Sequence, residues 1–221
     1  MAIKLIIFDL DGTLINSIED ITNALNYAFG PYGISDLTTS EVTKLIGEGP
    51  LKLVQDVLTE RNLLSDTKVL VTRFIDYYTS HPADKTVLYP GTGEMLEAFK
   101  GLKMAIVTNK TEELSRRILK KFELDAYFDM VVAVDTIAQR KPSPGPVMHV
   151  LSAFNLTPED AIIVGDSAID IQTGKASFVR TVAVTHGYGK DGFQKEADFI
   201  ISSLPELIDI VKRENGWIDK S

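Results

Sequence analysis

Residues 3–17 read IKLIIFDLDGTLINS, and the apolar run in this stretch stops at Asp9 and Asp11, two like charges separated by one leucine. A short run of apolar residues followed by polar and turn residues predicts a buried strand, here over residues 4–8. Neighbouring carboxylates disfavour each other's charge unless a cation compensates them. The pair therefore indicates a chemical site at the tip of the first strand.

Several later segments rich in Ile and Val predict further strands of the same sheet. They lie at residues 104–108, 130–134, 161–165 and 180–184, with a weaker one at 198–202. Helical patterns follow at residues 111–122, 143–154 and 167–177, and a last one at 203–215. This alternation predicts an α/β fold with a doubly wound, Rossmann-like parallel sheet. The tail, residues 217–221, is expected to fray.

One connection is much longer than a crossover needs. About ninety residues separate Leu14 from the strand at 104–108, whereas a crossover takes a dozen or more. Helical spacing recurs within it, at Ile18, Ile21, Leu25 and Phe29, at Val71, Phe74, Ile75 and Tyr78, and across residues 40–58 with a break at 47–49. We predict a strand-free helical-bundle cap domain at 15–86, inserted into a core domain of residues 1–14 plus 87–221. At that place it can act as a lid over the ligand crevice.

Composition excludes several classes of function. The 221 residues include 31 acidic and 23 basic side chains, so a formal charge of −8 argues against nucleic acid or an anionic membrane as partner. Absence of cysteine removes disulfides, thiolate metal sites and thiol nucleophiles. The start MAIKLII is too short for a signal peptide, and no run reaches membrane-spanning length. We expect a cytoplasmic protein.

Polar residues that can carry chemistry follow the predicted strands at their carboxyl ends. They are Asp9 and Asp11, Thr108 and Asn109, Asp166 and Asp170, and Lys141 just beyond the third strand. These ends meet at one edge of a parallel sheet, so the side chains are expected to share a cleft. Acids gathered there call for a hard cation with oxygen ligands, and Mg²⁺ fits this inventory better than Zn²⁺.

Such a cleft is suited to a phosphoryl group. Asp9, at the strand tip, is the candidate nucleophile, which would form an aspartyl phosphate. Asp11 can point into the same pocket once the chain turns at Gly12, where it would protonate the leaving oxygen and then deprotonate the attacking water. A lysine with hydroxyl and amide donors opposite would bind the phosphoryl oxygens.

Four motifs in order resemble those of the haloacid dehalogenase superfamily of phosphatases. They are DLDGT at 9–13, VTN at 107–109, KPSP at 141–144 and GDSAID at 165–170, and the helical insertion matches the family's first-position cap. YPG at 89–91, IGEG at 46–49 and THGYG at 185–189 look most like the phosphoglycolate phosphatase subgroup. Where the family often has Asp-Ser after this first motif, the chain has Asn16 and Ser17.

The resemblance implies a role for each matching residue. Asp9 would be nucleophile and Asp11 acid and base, with Thr108, Asn109 and Lys141 binding phosphate. Mg²⁺ would be held by Asp9, the main-chain carbonyl of Asp11 and Asp166, with Asp170 nearby or linked through water. If the break at 47–49 faces the site, Gly47 and Lys52 are expected to contact the far end of the substrate; a simple helix break is the other interpretation.

The predicted function is Mg²⁺-dependent hydrolysis of a small phosphorylated metabolite. A phosphomutase resembling β-phosphoglucomutase, or a pyrophosphatase, would use the same nucleophile and stays open. From other classes, a phospho-accepting receiver of signalling systems and a non-catalytic binding protein also stay open. The sequence leaves both a monomer and a homodimer possible.

Overall fold

The computed structural model describes residues 2–34, 36–190 and 192–217. The strands are β1 (Leu5–Phe8), β2 (Ile15–Asn16), β3 (Val87–Leu88), β4 (Lys103–Val107), β5 (Met130–Val132), β6 (Ala161–Gly165), β7 (Arg180–Val184) and β8 (Phe199–Ile201). The helices are α1 (Ile18–Phe29), α2 (Thr39–Thr43), α3 (Pro50–Glu60), α4 (Thr67–Ser80), α5 (Thr92–Ala98), α6 (Glu112–Lys121), α7 (Gly145–Phe154), α8 (Ala168–Ala176) and α9 (Glu206–Glu214). Residues 218–221 of the tail predicted to fray lie outside the described part.

Six strands form one parallel sheet in the order β5-β4-β1-β6-β7-β8. The chain runs outward from β1 in one direction through β4 and β5, and in the other through β6, β7 and β8. Beside β1 the strand order therefore reverses, which opens a crevice at the carboxyl edge of the sheet. Phe8 pairs with Ile106 of β4 and Val164 of β6, so the residue after Phe8 enters that crevice.

Apolar side chains of β1 alternate between the two faces of the sheet. Ile6 and Phe8 belong to one buried cluster, whereas Leu5 and Ile7 belong to another that includes Val147 and Val150 of α7. Every residue of this strand is apolar and buried, so both faces of the sheet at β1 are packed against other apolar residues. The doubly wound α/β fold predicted from the sequence is confirmed. Among the described residues, none of the helices has the length and apolar character that a membrane crossing requires.

The long connection between β1 and β4 contains the helices α1 to α4. Buried side chains of α1, such as Leu25 and Phe29, belong to the same cluster as Leu70 and Phe74 of α4. The predicted break in the third helical pattern is present: α2 ends at Thr43 and α3 begins at Pro50. The predicted helical character of the insertion thus matches the structure, and its independence as a cap domain stays a prediction.

The expectation that residues 15–86 hold no strand is wrong at their first two residues. Ile15 and Asn16 form β2, which pairs antiparallel with β3 through Ile15–Leu88 and Asn16–Val87. Strands of two residues show no alternation in sequence, so the pattern could not reveal them. This two-stranded ribbon joins the segment just after β1 to the segment that leads into α5.

A buried carboxylate stabilises the same junction. Asp20, in the first turn of α1, is 3% exposed. Its oxygens accept hydrogen bonds from the main-chain N–H of Lys85 at 3.0 Å and of Thr86 at 2.7 Å, and from the Thr86 hydroxyl at 2.6 Å. Hydrogen bonds to a charged acceptor are stronger than neutral ones. Asp20 therefore fixes the start of α1 against the two residues that precede β3.

Replacing Asp20 by alanine should lower the free energy of unfolding by about 3 kcal/mol, because it leaves buried N–H donors without an acceptor. The exposed neighbour Glu19 provides the matched control, since Glu19→Ala removes the same charge from the same helix turn. Urea unfolding at neutral pH measures both variants. Equal stability of the two would contradict the assigned role of Asp20.

Candidate active site

Three carboxylates meet at the carboxyl edge of the sheet. Asp9 follows β1, Asp166 follows β6, and Asp170 lies in the first turn of α8. One oxygen from each lies within 4.8 Å of the others. The main-chain N–H of Asp9 donates to Val164 O at 2.9 Å, so Asp9 extends the ladder between β1 and β6. The nucleophile candidate is thus held by the sheet itself.

Lys141 neutralises part of this cluster. Its ammonium lies 2.7 Å from Asp9 Oδ1 and 2.6 Å from Asp170 Oδ1, and the residue is 2% exposed. Burial opposes the charge, but the facing carboxylates outweigh it and raise the pKa of Lys141 above its usual value. Asn109 places the lysine: its Oδ1 accepts from Lys141 N at 3.2 Å and its Nδ2 donates to Lys141 O at 3.1 Å.

The two metal acids expected from sequence are each positioned by their own donors. Asp166 accepts from the Thr13 hydroxyl at 3.3 Å and from the main-chain N–H of Tyr188 at 2.6 Å. Asp170 Oδ2 accepts from Ser167 N at 3.1 Å and Ser167 Oγ at 2.6 Å, which is the capping box of α8. These hydrogen bonds fix the orientation of each carboxylate before any ligand binds.

Gly12 makes room for the cluster. It has a φ of +86°, and a Cβ built there would stand 2.2 Å from Asp166 Oδ2. Only glycine combines this left-handed backbone with so close an approach. The turn after Asp11 in DLDGT therefore packs directly against the aspartate of GDSAID, which explains how two distant motifs form one site.

The charges of the cluster do not balance within the described residues. Burial raises the pKa of Asp9 to about 7, against the attraction of Lys141 and with repulsion from Asp170. Burial, with repulsion from Asp170 and Asp9, raises the pKa of Asp166 well above its ordinary value. Three carboxylates facing one ammonium make a site that a hard cation would stabilise, because its preferred ligands are oxygens. The donor set therefore fits a divalent metal ion.

Asp11 lies beside this cluster with separate partners. Its Oδ1 accepts from the Ser17 hydroxyl, and its Oδ2 is 3.0 Å from the ammonium of Lys110. That ammonium also donates to the Tyr78 hydroxyl of α4 at 3.0 Å. The sequence assigned no role to Ser17 or Lys110. Lys110 directly follows the VTN motif, and that adjacency is the one signal in the sequence that points to it.

A cavity of about 590 Å³ lies between this edge of the sheet and the helical insertion. Its lining from the core includes all the predicted catalytic and phosphate-binding residues: Asp9, Asp11, Thr108, Asn109 and Lys141. Its lining from the insertion includes Gly47, whose carbonyl accepts from Asn109 Nδ2 at 2.9 Å. The break in the helical pattern of the insertion therefore faces the site.

Lys52, predicted beside Gly47 as a substrate contact, is placed differently. Its ammonium pairs with Asp56 one turn further along α3, and Asp56 lines the cavity while Lys52 is not among the lining residues. The i,i+4 spacing on a helix favours this local pair over a contact across the cleft. The structure thus brings together every predicted core residue and Gly47, but not Lys52.

Tyr188, in the THGYG segment, connects Asp166 to the start of the insertion. Its hydroxyl accepts from the main-chain N–H of Ser17 at 2.7 Å and of Ile18 at 3.1 Å, and donates to Asn16 Oδ1 at 2.9 Å. Its own N–H donates to Asp166, as described above. The sequence pattern of this segment resembles the phosphoglycolate phosphatase subgroup but does not indicate these hydrogen bonds. Tyr188 therefore supplies the hydrogen-bond acceptor at the start of α1.

Comparison with known proteins identifies the class. A family model described as haloacid dehalogenase-like hydrolase matches residues 6–184. The chain belongs to this family, and the prediction of a phosphatase of the haloacid dehalogenase superfamily is confirmed. Phosphatases of this family generally use a divalent metal ion, which agrees with the cluster of aspartates.

Within this family, the chain is similar to several proteins named phosphoglycolate phosphatase. The chain is similar to the phosphoglycolate phosphatase of Aquifex aeolicus (strain VF5), at 39% identity over 94% of this chain and 96% of the relative. It is also similar to the phosphoglycolate phosphatase of Chromobacterium violaceum, at 33% identity over 95% of this chain and 97% of the relative. A crystal structure of a predicted phosphoglycolate phosphatase from Haemophilus somnus 129pt matches with a TM-score of 0.88 and 29% identity, over 94% of this chain and 97% of that one.

The raised pKa of Asp9 predicts how stability depends on pH in metal-free protein. The folded state keeps a proton on Asp9 up to about pH 7, whereas the unfolded chain releases it near the ordinary value of 3.8. Stability should therefore fall as pH rises from 4 to 7, because over this range the unfolded chain has released the proton that the folded state still holds.

Urea unfolding in EDTA across this pH range measures the effect. Asp9→Asn should show a shallower decline, because the titrating group is gone. Mg²⁺ should stabilise the wild-type protein more at pH 7 than at pH 5, since metal and proton compete for the same oxygens. An equal slope in both proteins would argue against this placement of Asp9.

Proposed function

We propose that the chain is a Mg²⁺-dependent hydrolase of a small phosphate monoester, with phosphoglycolate as the leading candidate. The observation that carries this proposal is the Asp9 carboxylate, anchored at the tip of β1 and ion-paired with Lys141 at 2.7 Å, at the floor of a cavity beneath the insertion. The named relatives support the choice of substrate.

Asp9 would be the nucleophile. Its carboxylate oxygen forms a bond to phosphorus while the ester P–O bond breaks, which leaves an aspartyl phosphate and a free alcohol. Thr108, Asn109 and Lys141 would bind the phosphoryl oxygens, since all three line the cavity around Asp9. Binding by fixed donors holds phosphorus in line with the attacking oxygen.

Asp11 would carry the proton in both halves of the reaction. In the first half its carboxyl proton goes to the leaving oxygen, which keeps the electron pair of the broken bond. In the second half its carboxylate takes a proton from the water that attacks phosphorus, and phosphate and the Asp9 carboxylate are released. Its side chain suits this work because it lies outside the Asp9, Asp166 and Asp170 cluster.

The proposed metal site comprises Asp9, Asp166 and Asp170, together with the main-chain carbonyl of Asp11. When bound, Mg²⁺ would supply positive charge that offsets the negative charge gathering on the phosphoryl oxygens. The clustered side chains are all carboxylates and the chain has no cysteine, which favours Mg²⁺ over Zn²⁺. A cytoplasmic location and a monomeric or dimeric state stay predictions.

Phosphomutase and pyrophosphatase activity remain the chemical alternatives. A mutase must transfer the phosphoryl group to a second substrate hydroxyl instead of water, so it would form isomer without net phosphate. The long helical insertion argues against a receiver of signalling systems, which needs no such module. Phosphate release and isomer formation, measured on the same panel of phosphorylated metabolites, separate these functions.

In that panel, wild-type protein with Mg²⁺ should release phosphate from phosphoglycolate, and EDTA should stop the release reversibly. Asp9→Asn should lower the rate at least about a thousandfold while the protein stays folded, because the nucleophile is lost. Asp209→Asn, the same chemical change on the exposed face of α9, should leave the rate unchanged. Phosphate release at the wild-type rate by pure Asp9→Asn protein would refute the assigned nucleophile.

Asp11→Asn should turn over much more slowly than the wild-type protein. Without the Asp11 acid the aspartyl phosphate forms slowly, and without the Asp11 base any aspartyl phosphate that forms is hydrolysed slowly and accumulates. Rapid quenching and intact mass measurement would detect a covalent phosphoryl group on Asp9, and the double variant with Asp9→Asn should show none. Full turnover by Asp11→Asn would remove its role as acid and base.

A further inference from the structure

Lys110 is a buried cation that the mechanism above leaves without a function. It follows Asn109 at the end of β4, lines the cavity and is 8% exposed. Its ammonium lies 3.0 Å from Asp11 Oδ2 and 4.3 Å from the centroid of the Tyr78 ring, and donates to the Tyr78 hydroxyl at 3.0 Å. A buried ammonium is costly unless such partners surround it.

The two buried lysines of the site serve different acids. Lys141 pairs with Asp9 and Asp170, whereas Lys110 pairs with Asp11. Lys110 is held in place from both sides, because its own N–H donates to Thr108 Oγ1 at 3.2 Å and its carbonyl accepts from Val134 N at 3.1 Å. The proton-carrying carboxylate therefore has a cation of its own, whose main chain is held by hydrogen bonds just beyond the end of β4.

Asp11 has a hydrogen bond on one carboxylate oxygen and an ion pair on the other. Ser17, at the entry to the insertion, holds Oδ1, and Lys110, on the core, holds Oδ2. A carboxyl group held at one oxygen alone can rotate about its last torsion, which is broad. Among the described residues, Ser17 makes the only side-chain hydrogen bond to Asp11 and Lys110 the only ion pair with it, so loss of Lys110 leaves Oδ2 without either.

We propose that Lys110 is a positioning residue that fixes the Asp11 carboxyl for proton transfer to the leaving oxygen, and that Tyr78 connects this arrangement to α4 of the insertion. The proposal rests on the proposed function, in which Asp11 is the acid and base. Lys110 itself exchanges no proton: the proton passes from Asp11 to the leaving oxygen as the ester bond breaks.

The test uses the dependence of rate on the leaving group. An alkyl ester such as phosphoglycolate needs a proton on its leaving oxygen, whereas p-nitrophenyl phosphate releases a stable anion without one. The ratio kcat/KM reports events up to departure of the leaving group, so hydrolysis of the aspartyl phosphate does not enter it. If phosphoglycolate is not hydrolysed, the fastest alkyl monoester of the panel takes its place.

With Mg²⁺ present, Lys110→Met should lower kcat/KM by about a hundredfold for the alkyl ester, but by less than about tenfold for p-nitrophenyl phosphate. Asp11→Asn should show the same selectivity. Tyr78→Phe, which removes only the hydroxyl, should show it to a smaller extent. If Lys110 had a merely structural role, its replacement would lower kcat/KM for both esters by the same factor.

Each outcome identifies what fails. Equal losses on both esters in Lys110→Met, beside a selective loss in Asp11→Asn, would overturn the positioning role and leave the proposed function intact. Equal losses in Asp11→Asn would instead refute its role as acid. Wild-type behaviour of Tyr78→Phe would refute the connection to α4.

Chemical rescue covers the case in which Lys110→Met does not fold. The chain has no cysteine, so Lys110→Cys introduces a single thiol that 2-bromoethylamine converts into a lysine analogue. Fully alkylated protein, verified by mass, should regain alkyl-ester activity at least tenfold over the unmodified variant, with little change for p-nitrophenyl phosphate. Complete alkylation without selective recovery would overturn the proposal.

Discussion

The site depends on a concentration of negative charge at the end of the central strand. β1 is apolar at every position and ends where the strand order of the sheet reverses, so its next residue, Asp9, is held by backbone hydrogen bonds in a crevice. Asp166 and Asp170 face it from the neighbouring strand and helix. Among the described residues, the only ammonium that forms ion pairs with this cluster is that of Lys141, which pairs with Asp9 and Asp170. This excess of buried negative charge lowers the stability of the folded protein when no cation is bound. The same excess favours binding of a metal ion, which in turn can bind a phosphoryl group.

The helical insertion is joined to that site by hydrogen bonds at several independent points. Asn109 donates to the carbonyl of Gly47, and Lys110 donates to Tyr78. Tyr188 accepts from the first N–H groups of α1 while its own N–H holds Asp166. A shift of the insertion relative to the sheet would therefore change the hydrogen bonds of Asn109, Lys110 and Tyr188, which contact Lys141, Asp11 and Asp166, respectively. Through such contacts the insertion helps to position residues of the proposed site, in addition to forming one wall of the cavity.

The sequence predicted the sheet and the core of the site well, for identifiable physical reasons. Strands buried on both faces read as apolar runs, and parallel topology brings their carboxyl ends together, so Asp9, Thr108 and Asp166 could be grouped without coordinates. Strands of two residues carry no such pattern, and β2 and β3 were missed. Lys52 and Lys110 show the other limit: both are lysines near a motif, and only side-chain direction decides that one pairs with Asp56 along its helix while the other reaches Asp11.

The difference between positions fixed by strand topology and positions fixed by side-chain direction explains why the sequence predicts the reaction more firmly than the substrate. The reacting atoms are held by strand ends, whose positions follow from topology, and each predicted group there has a chemical requirement that few residue types satisfy. The opposite wall of the cavity consists of helix side chains such as Leu53, Phe74 and Ile75, which pack the insertion as well as line the cleft. Packing tolerates exchange among apolar residues of similar volume, so such positions can change the shape of the cavity without disturbing the catalytic edge. The residues of the proposed site thus lie where the fold constrains the sequence most, whereas the opposite wall of the cavity lies where it constrains the sequence least.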